Sequence, residues 1–348
     1  MMKRFLAILG RSALAGVVFA VTFCAGVALI LGGAAWWILR SAESDDACAV
    51  VETFVAGVED AKAAKVVRVN ITGEIGPPPP SPVGDLLGGA LGTDSSSGSE
   101  NSDAVREHIQ LATDDQDVKG LYLVIDTPGG DLTASDLLWH DVQIFREAQP
   151  GRFVFVHALA QCCSGGYYVA AAADFIMALP TSEVGSIGII SDYGYNVADL
   201  ARRFGVTNVV VATGENKDSF NPLKPVDPRQ LAIEQDLIDS QFRRFMQVVS
   251  EGRKIPVEKV RELADGRAYA AADAVEKGLA DAIGYAEDAM AKLQELAGGE
   301  VYVVAYGAPL GKEENFLKKL IGGKFHVKRM SSVHRRRGLP VPRLRLIR

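Results

Sequence analysis

Between Arg11 and Arg40 the chain carries no charged side chain, and residues 13–39 form an apolar run of 27 residues. As a helix rising 1.5 Å per residue, that run would reach roughly 40 Å, more than the ~30 Å hydrocarbon core of a bilayer. Lys3, Arg4 and Arg11 precede it, while Glu43, Asp45 and Asp46 follow shortly after Arg40. The positive flank stays cytoplasmic, so the reading is a cytoplasmic N-terminus over residues 1–12 and a single-pass anchor over residues 13–39. The rest of the chain is then expected on the extracytoplasmic side of the cell (inner) membrane. The rival is a cleaved signal peptide, whose apolar region is only about 7–15 residues long. The length of the run and the interfacial pair Trp36-Trp37 favour a retained anchor.

The net charge of −6 hides an asymmetry. From Lys312 to Arg348 there are twelve Lys/Arg against two Glu, so the end is strongly basic and the remainder acidic. A basic tail (residues 301–348) on an acidic body suits anionic lipid, nucleic acid or a second copy of the body; it is equally a plain solvated tail. Four cysteines are too few for a disulfide-built fold, and no Cys/His spacing suggests a metal.

Residues 40–63 read as a linker or short helix. A β-branched strand candidate runs over residues 66–71, followed by the Pro/Gly/Ser-rich stretch 76–102, which has too little apolar surface to order itself cheaply. From Asp103 the pattern alternates. Helices are expected over residues 104–112, 132–147 and 166–173, and strands over 120–125, 153–156, 175–178 and 209–211. After Pro228 a long amphipathic helix presents Leu231, Leu237, Ile238, Phe242, Phe245 and Val249. Helices over 257–264 and 271–277 close the pattern. Repeated strand–helix units with apolar strands predict an α/β fold with much parallel sheet, here over residues 64–300.

The sharpest local feature is Cys162-Cys163-Ser164-Gly165-Gly166-Tyr167-Tyr168, directly after a strand. A serine opening a helix meets free backbone N–H groups and a partial positive charge, which suit an oxyanion forming beside it. It is equally an ordinary N-cap serine. Of the five histidines none stands out as a base, and His157 reads as a packing residue. A lysine can act as base only if burial lowers its pKa. Lys217, in Thr213-Gly214-Glu215-Asn216-Lys217-Asp218, and Lys224 are the candidates, with a solvated loop lysine as the plain alternative. Asp126-Thr127-Pro128-Gly129-Gly130 ends a strand in a turn able to supply a further N–H donor; it is also a common strand-to-helix turn.

In this order, the pieces resemble the signal peptide peptidase A family, peptidase family S49. The resemblance covers roughly residues 64–290. It rests on Thr127-Pro128-Gly129-Gly130, Ser164-Gly165-Gly166-Tyr167-Tyr168, Val184-Gly185-Ser186-Ile187-Gly188-Ile189, the Lys217 segment, Asp265-Gly266-Arg267 and the closing run Ala274 to Asp281. It implies a ClpP/crotonase-like fold and a membrane-anchored serine endopeptidase with Ser164 as nucleophile and Lys217 as base. Gly130 and Gly165 would supply the oxyanion N–H groups, Gly129 would shape the turn, and Thr213 or Ser186 would hold the lysine. It also implies peptide substrates such as cleaved signal peptides, contact with membrane lipid through the anchor, and a homo-oligomer, with nucleophile and base either within one subunit or drawn from neighbouring ones. No cofactor, metal or nucleic acid is called for. Two departures stand out: Cys162-Cys163 replace the family's usual alanines, and the basic tail has no counterpart in the family core. A catalytically inactive membrane scaffold and a crotonase-type acyl-thioester enzyme are the alternative functions.

Overall fold

The structure is a computed structural model that describes residues 51–60, 62–76 and 102–307. The expected anchor, most of the Pro/Gly/Ser stretch and nearly all of the basic tail lie outside the described residues. Among the described residues no helix is long and apolar enough to cross a membrane.

Strands β2 (Ala64–Thr72), β3 (Val118–Thr127) and β4 (Phe153–Cys163) form the centre of a nine-stranded sheet. Their β-branched and aromatic residues suit a pleated, doubly covered surface. Two helices cross between them, α1 (Ser102–Asp114) and α2 (Leu132–Ala148), and the three strands run parallel. Outward from β4 lie β5 (Phe175–Ala178) and β8 (Ala282–Ile283). Outward from β2 lie β9 (Val301–Gly307) and then β1 (Val51–Gly57). Helix α8 (Ala286–Ala297) packs Ala289 and Leu293 with Val66, Phe155, Met177 and Val303 on one side of the sheet. Buried Arg152 ties the ends of several elements together. It donates to the carbonyls of Val118 (3.2 Å), Thr113 (3.1 Å), Phe145 (3.3 Å) and Asp115 (2.7 Å) and lies over the Phe145 ring.

The α/β expectation stands, with four differences. The stretch read as a linker contributes β1, and the first residues of the stretch assigned to the tail form β9. Both are edge-side strands whose pairing depends on partners far away in sequence. Residues 209–211 are not a strand; Val209 and Val211 are 86% and 98% exposed, with no sheet edge beside them. The long helix, α5 (Pro228–Arg253), forms as expected, capped by Asp227 accepting from Arg229 N, but its buried residues begin only at Phe245. Its first turns and residues 188–227 make an arm that exposes Ile190, Tyr195, Phe204, Leu231 and Leu237. Short α4 (Ala198–Arg203) lies within that arm, and α6 (Val257–Leu263), β7 (Ala268–Ala270) and α7 (Ala271–Glu276) follow α5.

Candidate active site

The end of β4 is re-aimed by a change of register. Ile125 of β3 faces Ala158, but Thr127, two residues on, faces Cys162, four residues on. The extra residues of β4 are held by Gln161 N donating to the Asp126 carboxylate (3.0 Å) and by the Ser182 hydroxyl, which bonds the carbonyls of Ala158 and Leu159. Beyond this irregularity, residues 161–163 change neighbour from β5 to the short strand β6 (Glu183–Gly185). Bulges of this kind commonly redirect side chains beside active sites.

Ser164 follows at the junction with α3 (Gly165–Ala170). Its backbone sits at φ 49°, ψ −119°, a conformation that L-residues avoid and that costs of order 1–3 kcal/mol. Two hydrogen bonds hold it there: Ser164 N donates to Gly185 O (2.8 Å) and Tyr168 N to Ser164 O (2.9 Å). The hydroxyl makes no capping bond, so the reading of Ser164 as an N-cap serine does not hold. It is half-buried at the tip of a strained turn and left for other work.

The Pro-Gly-Gly turn closes over it. At Gly129 (φ 113°) an added Cβ would stand 2.6 Å from Ser164 Cβ, 3.0 Å from its Oγ and 2.9 Å from Gly165 N, so only glycine fits. Gly130 (φ 148°) is pinned from behind by Ile75, which donates to Gly129 O (2.8 Å) and accepts from Asp131 N (2.7 Å). Gly130 N comes within 3.4 Å of the position a Gly165 Cβ would take. The N–H groups of Gly130 and Gly165 have no acceptor among the described residues. Two unused donors beside a candidate nucleophile suit an oxyanion. Asp131, the next residue, caps α2 by accepting from Ala134 N (2.7 Å).

Of the other expected site residues, Ser186 lies one residue beyond Gly185, with φ 48° and its hydroxyl donating to Gly266 O (3.2 Å). Lys217 and Thr213 are both exposed on the arm, and among the described residues no hydrogen bond joins Lys217 to Ser164. Lys224 forms an ion pair with Asp218. His157 is a packing residue: its Nδ1 lies 3.2 Å from Tyr122 OH, and burial lowers its pKa, so it is held neutral within the sheet. Cys162 and Cys163 are buried free thiols whose pKa values burial raises, Cys163 to about 11.

One supporting residue escaped the sequence. Ser135 of α2 is fully buried, donates to Asp131 O (2.8 Å), and places its Oγ 2.3 Å from where a Gly165 Cβ would be. Its only signal was a position one turn after the capping aspartate, indistinguishable from a surface helix serine.

A serine freed from structural duty beside two free backbone donors is built for acyl transfer, and the class is that of the serine hydrolases. The family model "Peptidase family S49" matches residues 146–300. A Methanocaldococcus jannaschii protein that bears a protease name is 33% identical over 226 residues, spanning 64% of this chain and 70% of that protein. Protease 4 of Haemophilus influenzae is 33% identical over 208 residues, covering 58% of this chain and 33% of that protein. Among solved structures, a mutant ClpP1 from Listeria monocytogenes superposes on 64% of this chain and 93% of its own with a TM-score of 0.39 at 16% identity. The chain belongs to peptidase family S49, a family of serine-type peptidases. It spans about a third of the length of the Haemophilus relative.

Proposed function

We propose that the chain is a membrane-anchored serine endopeptidase of ClpP/crotonase-like fold that hydrolyses peptides, cleaved signal peptides and other membrane-derived segments among them, with a Ser164–Lys217 dyad. The observation that carries this reading is the uncapped, strained Ser164 beside the free N–H groups of Gly130 and Gly165. Ser164 Oγ attacks the peptide carbonyl carbon while its proton passes to neutral Lys217. The carbonyl oxygen, now negative, is received by Gly130 and Gly165 N–H. The C–N bond breaks as the ammonium of Lys217 returns the proton to the leaving amine. Water, deprotonated by the same lysine, then releases the acyl group.

Because Lys217 stands on the exposed arm, we place it in the active site of a neighbouring copy, within a homo-oligomer. The arm's uncovered apolar side chains, Ile190, Tyr195, Phe204 and Val211 among them, favour this reading: docking would bury them and withdraw the lysine from water. The uncharged run over residues 13–39 supports the anchor, with lipid around it and the peptidase domain extracytoplasmic.

The test is fluorophosphonate labelling and unfolded-casein cleavage by the detergent-solubilised full chain, beside Ser164→Ala. Both signals are expected in the wild type and neither in the variant. A folded wild-type sample lacking both would replace the peptidase reading with that of an inactive scaffold.

A further inference from the structure

The two oxyanion donors belong to different elements. Gly130 precedes α2, and Gly165 is the first residue of α3. Their spacing is therefore set by how α3 sits on α2. A six-residue helix whose first residue follows an uncapped serine has little stability of its own. The Tyr167 hydroxyl ties it to Leu279 O (2.9 Å), and a pair of adjacent α2 residues hold it on the side of the Gly130 turn. Ser135 lies under Gly165, as described. Asp136, the next residue, accepts a 2.5 Å hydrogen bond from the hydroxyl of Tyr168, whose ring is wholly buried. Tyr168 is also the residue whose N–H donates to Ser164 O. One side chain thus links the helix of the nucleophile to the helix that follows the Gly130 turn.

The same carboxylate oxygen receives a third element. Arg244 of α5 donates to Asp136 Oδ1 through Nη2 (3.1 Å) and Nε (3.3 Å), and its guanidinium lies 4.7 Å from the Trp139 ring centre. The next residue, Phe245, packs its ring 4.9 Å from that of Tyr168. Helix α5 is the one whose N-terminal turns belong to the arm. Burial, and then the bond to Asp136, push the Tyr168 pKa up, which keeps the phenol a donor.

We propose that Asp136 and Tyr168 are positioning residues for the oxyanion hole. Their hydrogen bond sets the spacing of the Gly130 and Gly165 N–H groups, and Arg244 references that spacing to the arm helix. Neither residue touches the reacting atoms. The inference rests on the serine peptidase reading above.

The experiment compares casein turnover and the fluorophosphonate labelling rate of full-chain wild type, Tyr168→Phe, Asp136→Ala, Asp136→Asn and the double variant Tyr168→Phe/Asp136→Ala. An oxyanion hole displaced by a fraction of an ångström loses rate rather than substrate affinity. Tyr168→Phe and Asp136→Ala are expected to lower kcat on casein about tenfold with KM within about twofold. The labelling rate should fall in parallel, because the phosphonyl oxygen occupies the same hole. The double variant should be no slower than the slower single one, as one shared bond predicts. Asp136→Asn, which keeps an acceptor for the phenol, should recover most of kcat. Folded Tyr168→Phe with wild-type kcat would overturn the proposal, as would a loss confined to KM, multiplied losses in the double variant, or no recovery in Asp136→Asn. An inactive wild type would sink the peptidase reading and this proposal together; an active wild type with an unaffected Tyr168→Phe would sink this proposal alone.

Discussion

The amide of Ser164 donates to the carbonyl of Gly185 at 2.8 Å, so the Ser164 turn hangs on β6, the strand that also carries the chain into Ser186. This bond lets a non-glycine residue persist at φ 49°, ψ −119°, where the backbone alone would relax. Strain of this kind aims the hydroxyl out of the turn and away from its own helix. The Ser164 turn is therefore built at a cost in stability.

That cost is measurable. Glycine adopts the Ser164 backbone conformation without penalty. Ser164→Gly is expected to abolish casein cleavage while stabilising the domain by about 1 kcal/mol, a Tm rise of roughly 2–4 °C for a unit of this size. Differential scanning calorimetry beside Ser164→Ala checks it. A Tm for the glycine variant at or below that of the alanine variant would mean that the turn stores no strain.

The position of Lys217 gives a second expectation. Ser164→Ala and Lys217→Ala should each be inactive alone. If the dyad is shared between copies, co-assembled mixtures of the two regain activity, because about a quarter of the sites in a random one-to-one mixture pair an intact serine with an intact lysine. Casein cleavage after joint refolding measures this. Inactivity of a mixture shown to co-assemble would place both residues in one subunit or remove Lys217 from the dyad.

The vicinal cysteines should be chemically quiet. Successive strand residues point to opposite faces, so Cys162 and Cys163 are poorly placed to bridge each other. Both are buried, and burial raises their pKa values, Cys163 to about 11. Iodoacetamide at pH 8 should leave both unmodified in the folded protein and label both in urea. Turnover of the Cys162→Ala/Cys163→Ala variant should match wild type with and without peroxide. Rapid native-state alkylation, or peroxide sensitivity lost in the variant, would reveal a redox role.

His157 should make stability fall in mild acid. Desolvation leads in holding its folded pKa below the ordinary 6.5; the nearby Gly284 backbone opposes it, and the Arg68 charge acts in the same direction as desolvation. As pH falls through 6.5 the unfolded chain takes up a proton that the folded chain refuses, so stability is complete above 6.5 and declines below it until the folded pKa is reached. Between pH 7.5 and 5.5 the wild-type Tm should fall further than that of His157→Gln, which keeps a partner for Tyr122. Parallel curves would show that the imidazole contributes nothing to the pH dependence.

What the sequence determined by itself was local. The strands around Val66, Leu121 and Phe155, the helices between them, the Pro128-Gly129-Gly130 turn and the Ser164-Gly165-Gly166 junction all follow from β-branching, helical spacing and glycine placement within a few residues. These signals need no distant partner, and they sufficed to mark Ser164, Gly130 and Gly165 as site candidates. Tertiary structure decided everything that depends on a neighbour far along the chain. Residues 51–57 and 301–307 become strands only because each finds a place in the same sheet. Val209–Val211 carry the same β-branched preference and stay unpaired because no edge is offered to them. The hydroxyl of Ser164 is free because β4 changes register at Asp126 and Gly185 takes its amide. Asp136 meets the Tyr168 hydroxyl only where two helices pack together. Strand propensity marks which backbone can extend, but its hydrogen bonds must be completed by another strand, and that partner exists only in the folded chain.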